Sequence, residues 1–272
     1  MTTVTTAIPT ALTPEGAQAV FRATLDALAR PGTVRRLPAA ADEPLAGFVP
    51  AALLPLLALA DLSTPACVVG DDAGLDNGTD LDNSTDLDSG TGAQTRWDEI
   101  VRVATNAPRT ALADARLAAA LRPLTADELA GLRTGTAAAP EDGALACLAV
   151  AGIATVHGAV WSAAADRPDA ETIADGADGS PVAHHTDGNA NTDEADGSPG
   201  SGSQTGRLLL RLSGPGVPGE RAVIVTGLPA GFAAARSRLV AGFPAGSDLL
   251  LVAPDGAMTG LPRTTTVHEE AV

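Results

Sequence analysis

The sequence predicts an α/β fold in three layers, a mixed β-sheet with helices on both faces, held in one domain. Three observations lead there. Ala17, Val20, Phe21, Leu25 and Leu28 recur at helical spacing, the mark of a helix with one buried stripe. Runs such as Ala66–Val69 and residues 249–253 are apolar throughout, as in strands covered on both faces. Setting aside two low-complexity tracts at residues 71–92 and 163–206 leaves 206 residues, enough for one substantial core.

The elements follow in order. Thr13-Pro14 supplies a cap and first turn and Pro31-Gly32 a stop, so a helix is predicted over residues 14–29. Residues 33–37 read as a short strand, 49–62 as a Leu-rich buried helix interrupted by Pro55, and 66–69 as a strand. Beyond the first tract, 99–104 and 110–113 read as short strands, 126–133 as a helix, and 144–156 as a long apolar run. After the second tract, 207–213 and 222–225 read as a strand pair and 231–240 as a helix. A hairpin then closes the chain, with Asp255-Gly256 supplying the backbone freedom of its turn.

The two tracts account for the acidity. The first repeats a hexapeptide from Leu75, Leu81 and Leu87 and holds seven acids with no Arg; the second holds nine acids and Arg167. They carry fifteen of the sixteen net negative charges, so the remaining fold is close to neutral and no nucleic-acid partner is expected. Both tracts are read as disordered insertions. Their repeated Asp residues lack the loop of an EF-hand and the glycines of a calcium-binding β-roll, and His184-His185 has no Cys nearby, so no metal site is expected. The start of the chain has neither a basic nor an apolar segment, and residues 45–60, the longest apolar run, contain Pro50 and Pro55. A cytoplasmic protein with no membrane span is expected. Cys67 and Cys147 lie inside apolar stretches and read as buried free thiols.

All 17 basic residues are Arg. Without Lys the chain can form no internal aldimine with pyridoxal phosphate and no Walker-type phosphate loop. No cofactor is expected.

Five blocks carry a resemblance. They are Phe21-Arg22 with Leu25, Leu28 and Ala29-Arg30-Pro31-Gly32; Thr105-Asn106-Ala107-Pro108; Leu132-Arg133-Thr134-Gly135-Thr136 with Ala139-Pro140-Glu141; Leu210 to Gly216 with Glu220-Arg221; and Phe243-Pro244-Ala245-Gly246-Ser247-Asp248 leading to Pro262-Arg263-Thr264-Thr265. In these the sequence resembles the PhnH family, a subunit of the bacterial carbon-phosphorus lyase system. One departure is Ala104, where the family often has a histidine. The resemblance implies a fold like that of pyridoxal-phosphate transferases without the cofactor. It also implies a part in replacing adenine at C1′ of ATP by a phosphonate, giving a ribose 1-phosphonate 5-triphosphate. The implied partners are PhnG-, PhnI- and PhnJ-type subunits, with a homodimer in isolation. PhnI is the implied seat of the chemistry, which makes this chain an assembly component of a transferase complex, with its own catalytic residues unknown. The rivals are an independent enzyme or binder of phosphate esters or nucleotides, and a regulatory module.

The substrate or interface candidates are Arg22, Arg30, Arg133, Thr134, Thr136, Arg263 and Thr264. Arg133 to Thr136 offers a guanidinium, two hydroxyls and a flexible Gly, which suits an anion cradle and equally a helix end running into a loop. An Arg fork at 22, 30 or 263 suits phosphonate oxygens and structural carboxylates alike. Arg263, fixed after Pro262, is expected to hold a partner carboxylate or a triphosphate oxygen, with Thr264 adding a hydroxyl. Gly214-Pro215-Gly216 reads as a turn between strands, and His157 as a core or edge histidine.

Overall fold

The structure, a computed structural model, describes residues 11–70, 97–156 and 205–272. These belong to one compact unit; a second unit, residues 157–202, lies outside the described residues. So do the hexapeptide repeats, His157, His184-His185 and nearly all of the second tract, whose last two residues open a strand.

Helix α1 spans Pro14–Ala29, and the Thr13 hydroxyl accepts from the Gly16 amide at 3.0 Å, satisfying a donor the helix itself leaves free. Strand β1 (Arg35–Arg36) follows, then a 3-10 turn at Ala51–Leu53, helix α2 (Leu54–Leu59) and β2 (Ala66–Val69). Pro55 stands in the first turn of α2, where its missing N–H costs nothing; it starts the helix and does not interrupt it. Next come α3 (Trp97–Thr105), β3 (Leu117–Ala120), α4 (Ala126–Ala130), β4 (Leu145–Ala149) and β5 (Gly152–Thr155). The remainder is β6 (Thr205–Ser213), β7 (Glu220–Pro229), α5 (Phe232–Leu239), β8 (Asp248–Val252), β9 (Ala257–Leu261) and β10 (Thr266–Ala271).

Several expectations need correction. Residues 99–104 are helical, because Trp97, Val101 and Ala104 share one face while Asp98 and Glu99 in the first turn and Arg102 in the last suit the helix dipole. Residues 110–113 form no strand: Arg109 makes an isolated bridge to Ala66, and Leu112–Asp114 is a 3-10 turn. The run 144–156 is two strands in different sheets. The final hairpin does not end the chain either, since β10 follows it in the other sheet.

There are two sheets where one was expected. The larger has the order β1-β9-β8-β4-β3-β2, with β8, β4, β3 and β2 parallel; the smaller is antiparallel, β10-β6-β7-β5. One face of the larger sheet, through Ala119, Cys147, Leu250 and Met258, packs on Val20 and Ala27 of α1, Leu54 and Leu56 of α2 and Val101 of α3. The opposite face, through Leu148, Leu249 and Leu251, packs on Leu208, Leu210, Leu212, Val223 and Val225 of the smaller sheet and on α4 and α5. The three layers hold, with a second sheet sharing the outer layer with helices. Among the described residues no helix is long and apolar enough to cross a membrane.

Candidate functional site

At the amino ends of the parallel strands, two of the singled-out blocks meet. Arg263 follows β9, and its backbone amide donates to Asp248 Oδ1 at 2.7 Å. Its guanidinium closes on the same carboxylate, Nε to Oδ1 at 3.2 Å and Nη2 to Oδ2 at 2.8 Å, while Nη1 donates to the Pro140 carbonyl at 2.6 Å. The carboxylate that Arg263 holds thus belongs to its own chain, and the pair is largely sheltered, with side chains 15% and 25% exposed. In such a setting a bidentate fork fixes geometry more firmly than a point charge.

The Arg133–Thr136 loop lies against this pair. Arg133 and Thr134 carbonyls accept from Ser247 Oγ and the Gly246 amide, each at 2.7 Å, so the loop is tied to the residues just before Asp248. Gly135 has φ +68 and is hemmed in by the backbone of Ala139 and Gly143, a place where any side chain would be strained. Thr136 turns inward on its loop, its hydroxyl accepting from the Ala139 amide at 3.0 Å. The Arg133 guanidinium is held loosely, reaching the Asp114 carbonyl at 3.4 Å and Asp142 at 3.8 Å. Arg116 reaches the same Asp142 at 3.8 Å and donates to the Glu141 carbonyl at 2.9 Å.

Arg236, on α5, was missed in the sequence. It is 2% exposed, and it donates to the carbonyls of Thr265 at 2.8 Å and Pro262 at 2.6 Å. Burial pulls its guanidinium down to about 10, with the Asp248 charge opposing. The signal was present in the sequence: Phe232, Arg236 and Leu239 share one helical face, which places an Arg on the buried stripe.

Arg22 and Arg30 do not join this cluster. Arg22 lies on α1 and Arg30 caps its carboxyl end, where Arg30 pairs with Asp26 and Arg35 pairs with the same carboxylate. The link is indirect. Gly214, in the β6–β7 turn, is so close to the Thr264 carbonyl that a Cβ there would stand 2.8 Å away, and Gly216 of the same turn abuts the Ala29 carbonyl. The glycine turn therefore wedges between the end of α1 and the turn after β9. Thr264 itself is exposed.

The Thr105–Pro108 block serves the sheet. Its Thr105 hydroxyl donates to the Val101 carbonyl at 2.7 Å, and the Pro108 carbonyl accepts from the Ala66 amide at 2.9 Å, joining α3 to the start of β2. A cleft of about 60 Å³ beside it is lined by Cys67, Asp98, Arg102, Arg109 and Thr110. Burial pushes the Cys67 thiol up despite nearby Arg109, and burial alone raises Cys147; neither is primed as a thiolate. Among the described residues no group of three His, Cys, Asp or Glu is placed to hold a metal.

A family model described as bacterial phosphonate metabolism protein (PhnH) matches residues 11–77 and 200–268. Those segments carry α1 through β2 and β6 through the first half of β10, including Arg22, Arg30, Arg236, Arg263 and the glycine turn. No curated protein matches the chain.

Proposed function

Because the chain belongs to the PhnH family of bacterial phosphonate metabolism proteins, we propose that it works as an assembly subunit of a carbon-phosphorus lyase complex. In this reading it supports formation of ribose 1-phosphonate 5-triphosphate from ATP and a phosphonate, in the cytoplasm, beside PhnG-, PhnI- and PhnJ-type subunits. It forms a homodimer when isolated. The whole chain is one PhnH-like domain with a reduced fold similar to that of pyridoxal-phosphate transferases, without the cofactor, interrupted at 71–92 and 163–206.

One observation carries the assembly role. The two matched segments, far apart in sequence, lock together at the glycine turn, and the Arg263 fork at that junction is already engaged by Asp248 and Pro140. Such a junction is a rigid support that presents Thr264 and the outer face of α1 to other proteins; it is ill-suited to opening around a triphosphate. Co-expression with the three other subunits tests the role. The chain should co-purify with them, and product should fall when it is omitted. Full product formation without it would sink the reading.

A second reading rests on Arg116 and Arg133, which share one carboxylate at 3.8 Å each. Two guanidiniums with only long contacts to their shared carboxylate, near Thr134, suit a phosphate ester or nucleotide. Turnover of ATP plus methylphosphonate by the isolated chain would favour it.

A further inference from the structure

The outward stripe of α1 is apolar and preorganised. Phe21 and Leu25, one turn apart, are 42% and 50% exposed, and Ala29 continues the stripe. The helix cannot roll to hide them. Beneath it Gly260 of β9 sits so close that a Cβ would lie 2.5 Å from the Ala27 carbonyl. At its start Gly16 lies against the fully buried Glu43, whose carboxylate accepts from the Thr13 amide at 3.1 Å and hydroxyl at 2.7 Å. With Val20, Thr24 and Ala27 fixed inward, Phe21 and Leu25 must face out.

The stripe also carries unbalanced charge. Arg22 stands beside Leu25, exposed and without an ion-pair partner among the described residues. Arg221, exposed and equally unpaired among them, reaches the end of α1, where its Cβ would lie 2.9 Å from a Cβ on Gly32. Asp26 is already held by Arg30 and Arg35. An apolar centre flanked by free guanidiniums has the make-up of a protein-binding surface, in which aromatic and Arg side chains dominate the energy.

We propose that this stripe docks a partner protein that presents an apolar centre rimmed by carboxylates. Phe21 and Leu25 enter the apolar centre, and Arg22 and Arg221 meet the acidic rim. Charge decides against a second copy of this chain as the occupant, since it would bring two more unpaired arginines to the same seam. The inference rests on the assembly reading above and names the surface that assembly uses.

The test is co-expression with the PhnG-, PhnI- and PhnJ-type subunits and measurement of Kd against the purified trio. Leu25→Glu and Arg22→Glu sit on the exposed face, so thermal melting should be unchanged in both. Each should weaken binding by roughly tenfold or more, and the wild-type affinity should fall with added salt while Arg22→Glu loses part of that dependence. Unchanged Kd in both variants would overturn the proposal and leave the assembly reading standing. Conversion of a self-associated chain to monomers, with the trio still bound, would assign the stripe to a second copy and overturn it as well. Failure of the wild-type chain to bind the trio at all would sink the assembly reading, and this surface with it.

Discussion

Arg236 holds the two carbonyls that bracket Arg263. Its donors reach Pro262 on one side and Thr265 on the other, while Arg263 between them closes on Asp248. A buried side chain from α5 thus sets the backbone from which a second guanidinium is aimed. Arg236→Met should remove donors from buried carbonyls and lower stability by roughly 2–4 kcal/mol. Arg236→Lys should recover little, since one ammonium cannot span both carbonyls in the same plane. Chemical denaturation of the two variants checks this; a Lys variant as stable as the wild type would refute the geometric account.

Arg263→Ala should destabilise the fold by about 1–3 kcal/mol, because Asp248 and the Pro140 carbonyl lose their donors in a sheltered place. Thermal melting reads it. Loss of partner binding with no change in melting would show instead that the pair matters only at an interface.

Acid should weaken the tie at α4. Arg122 above all, with the Thr125 amide assisting, holds the Glu128 carboxyl at about 2, below its ordinary 4.5. A carboxyl whose pKa is lowered by folding stabilises the protein above its unfolded value and loses that contribution as pH falls through the folded one. Stability of the wild type should therefore drop between pH about 4.5 and about 2 relative to Glu128→Gln, and the gap between the two should close at the acid end. A gap independent of pH would exclude the ion pair as its source.

Glycines at close approaches should be intolerant in a graded way. Gly260→Ala must push α1 away from β9, and Gly216→Ala adds a positive φ of +79 to a clash with the Ala29 carbonyl; each should cost roughly 1–3 kcal/mol. Gly152→Ala in β5 meets nothing within 4 Å and should be neutral or mildly stabilising. Equal melting temperatures for all three would contradict the packing described.

Thiol titration offers a simple probe of the core. Cys147 is fully buried on β4 and Cys67 half-buried on β2, so the native protein should label Cys67 slowly and Cys147 only on unfolding. Fast labelling of Cys147 under native conditions would place β4 at the surface.

The bounds of helix α1 were legible to the residue because a Thr-Pro cap, an apolar period and a Pro-Gly stop agree over Pro14–Ala29. Its buried face was not, since Phe21 and Leu25, read as part of one buried stripe, are exposed while Gly16 and Thr24 are buried. Strand β2 was legible for its β-branched, unbroken apolarity. Helix α3 was not: Ile100, Val101 and Val103 favour a strand locally, and only packing on β2 and α2 overrides them. Strand β3, Leu-Ala-Ala-Ala, has helix-forming residues and is a strand because it lies between β2 and β4, buried along its whole length. The second sheet escaped notice because nothing local distinguishes strands of one sheet from those of another. At the candidate site Arg263 was visible in its block, whereas the acid it binds is fifteen residues away and the Arg that aims its turn comes from a helix.

The strand order imposes a timetable on synthesis. The partner of β1 is β9, so Arg35 and Arg36 wait for Met258 and Ala257; β4 likewise waits for β8 and β6 for β10. A nascent chain can form α1 early, but the surface that helix covers on β9 does not yet exist. Until residues near 261 leave the ribosome, Ala27 lacks the β9 backbone it packs on, and α2 alone is there to cover the inner face of a helix that already exposes Phe21 and Leu25. The period before β9 arrives is therefore when the chain most needs shielding from other proteins, and substitutions that slow closure of β8 and β9 should lower yield in the cell more than they lower the melting temperature of what is recovered.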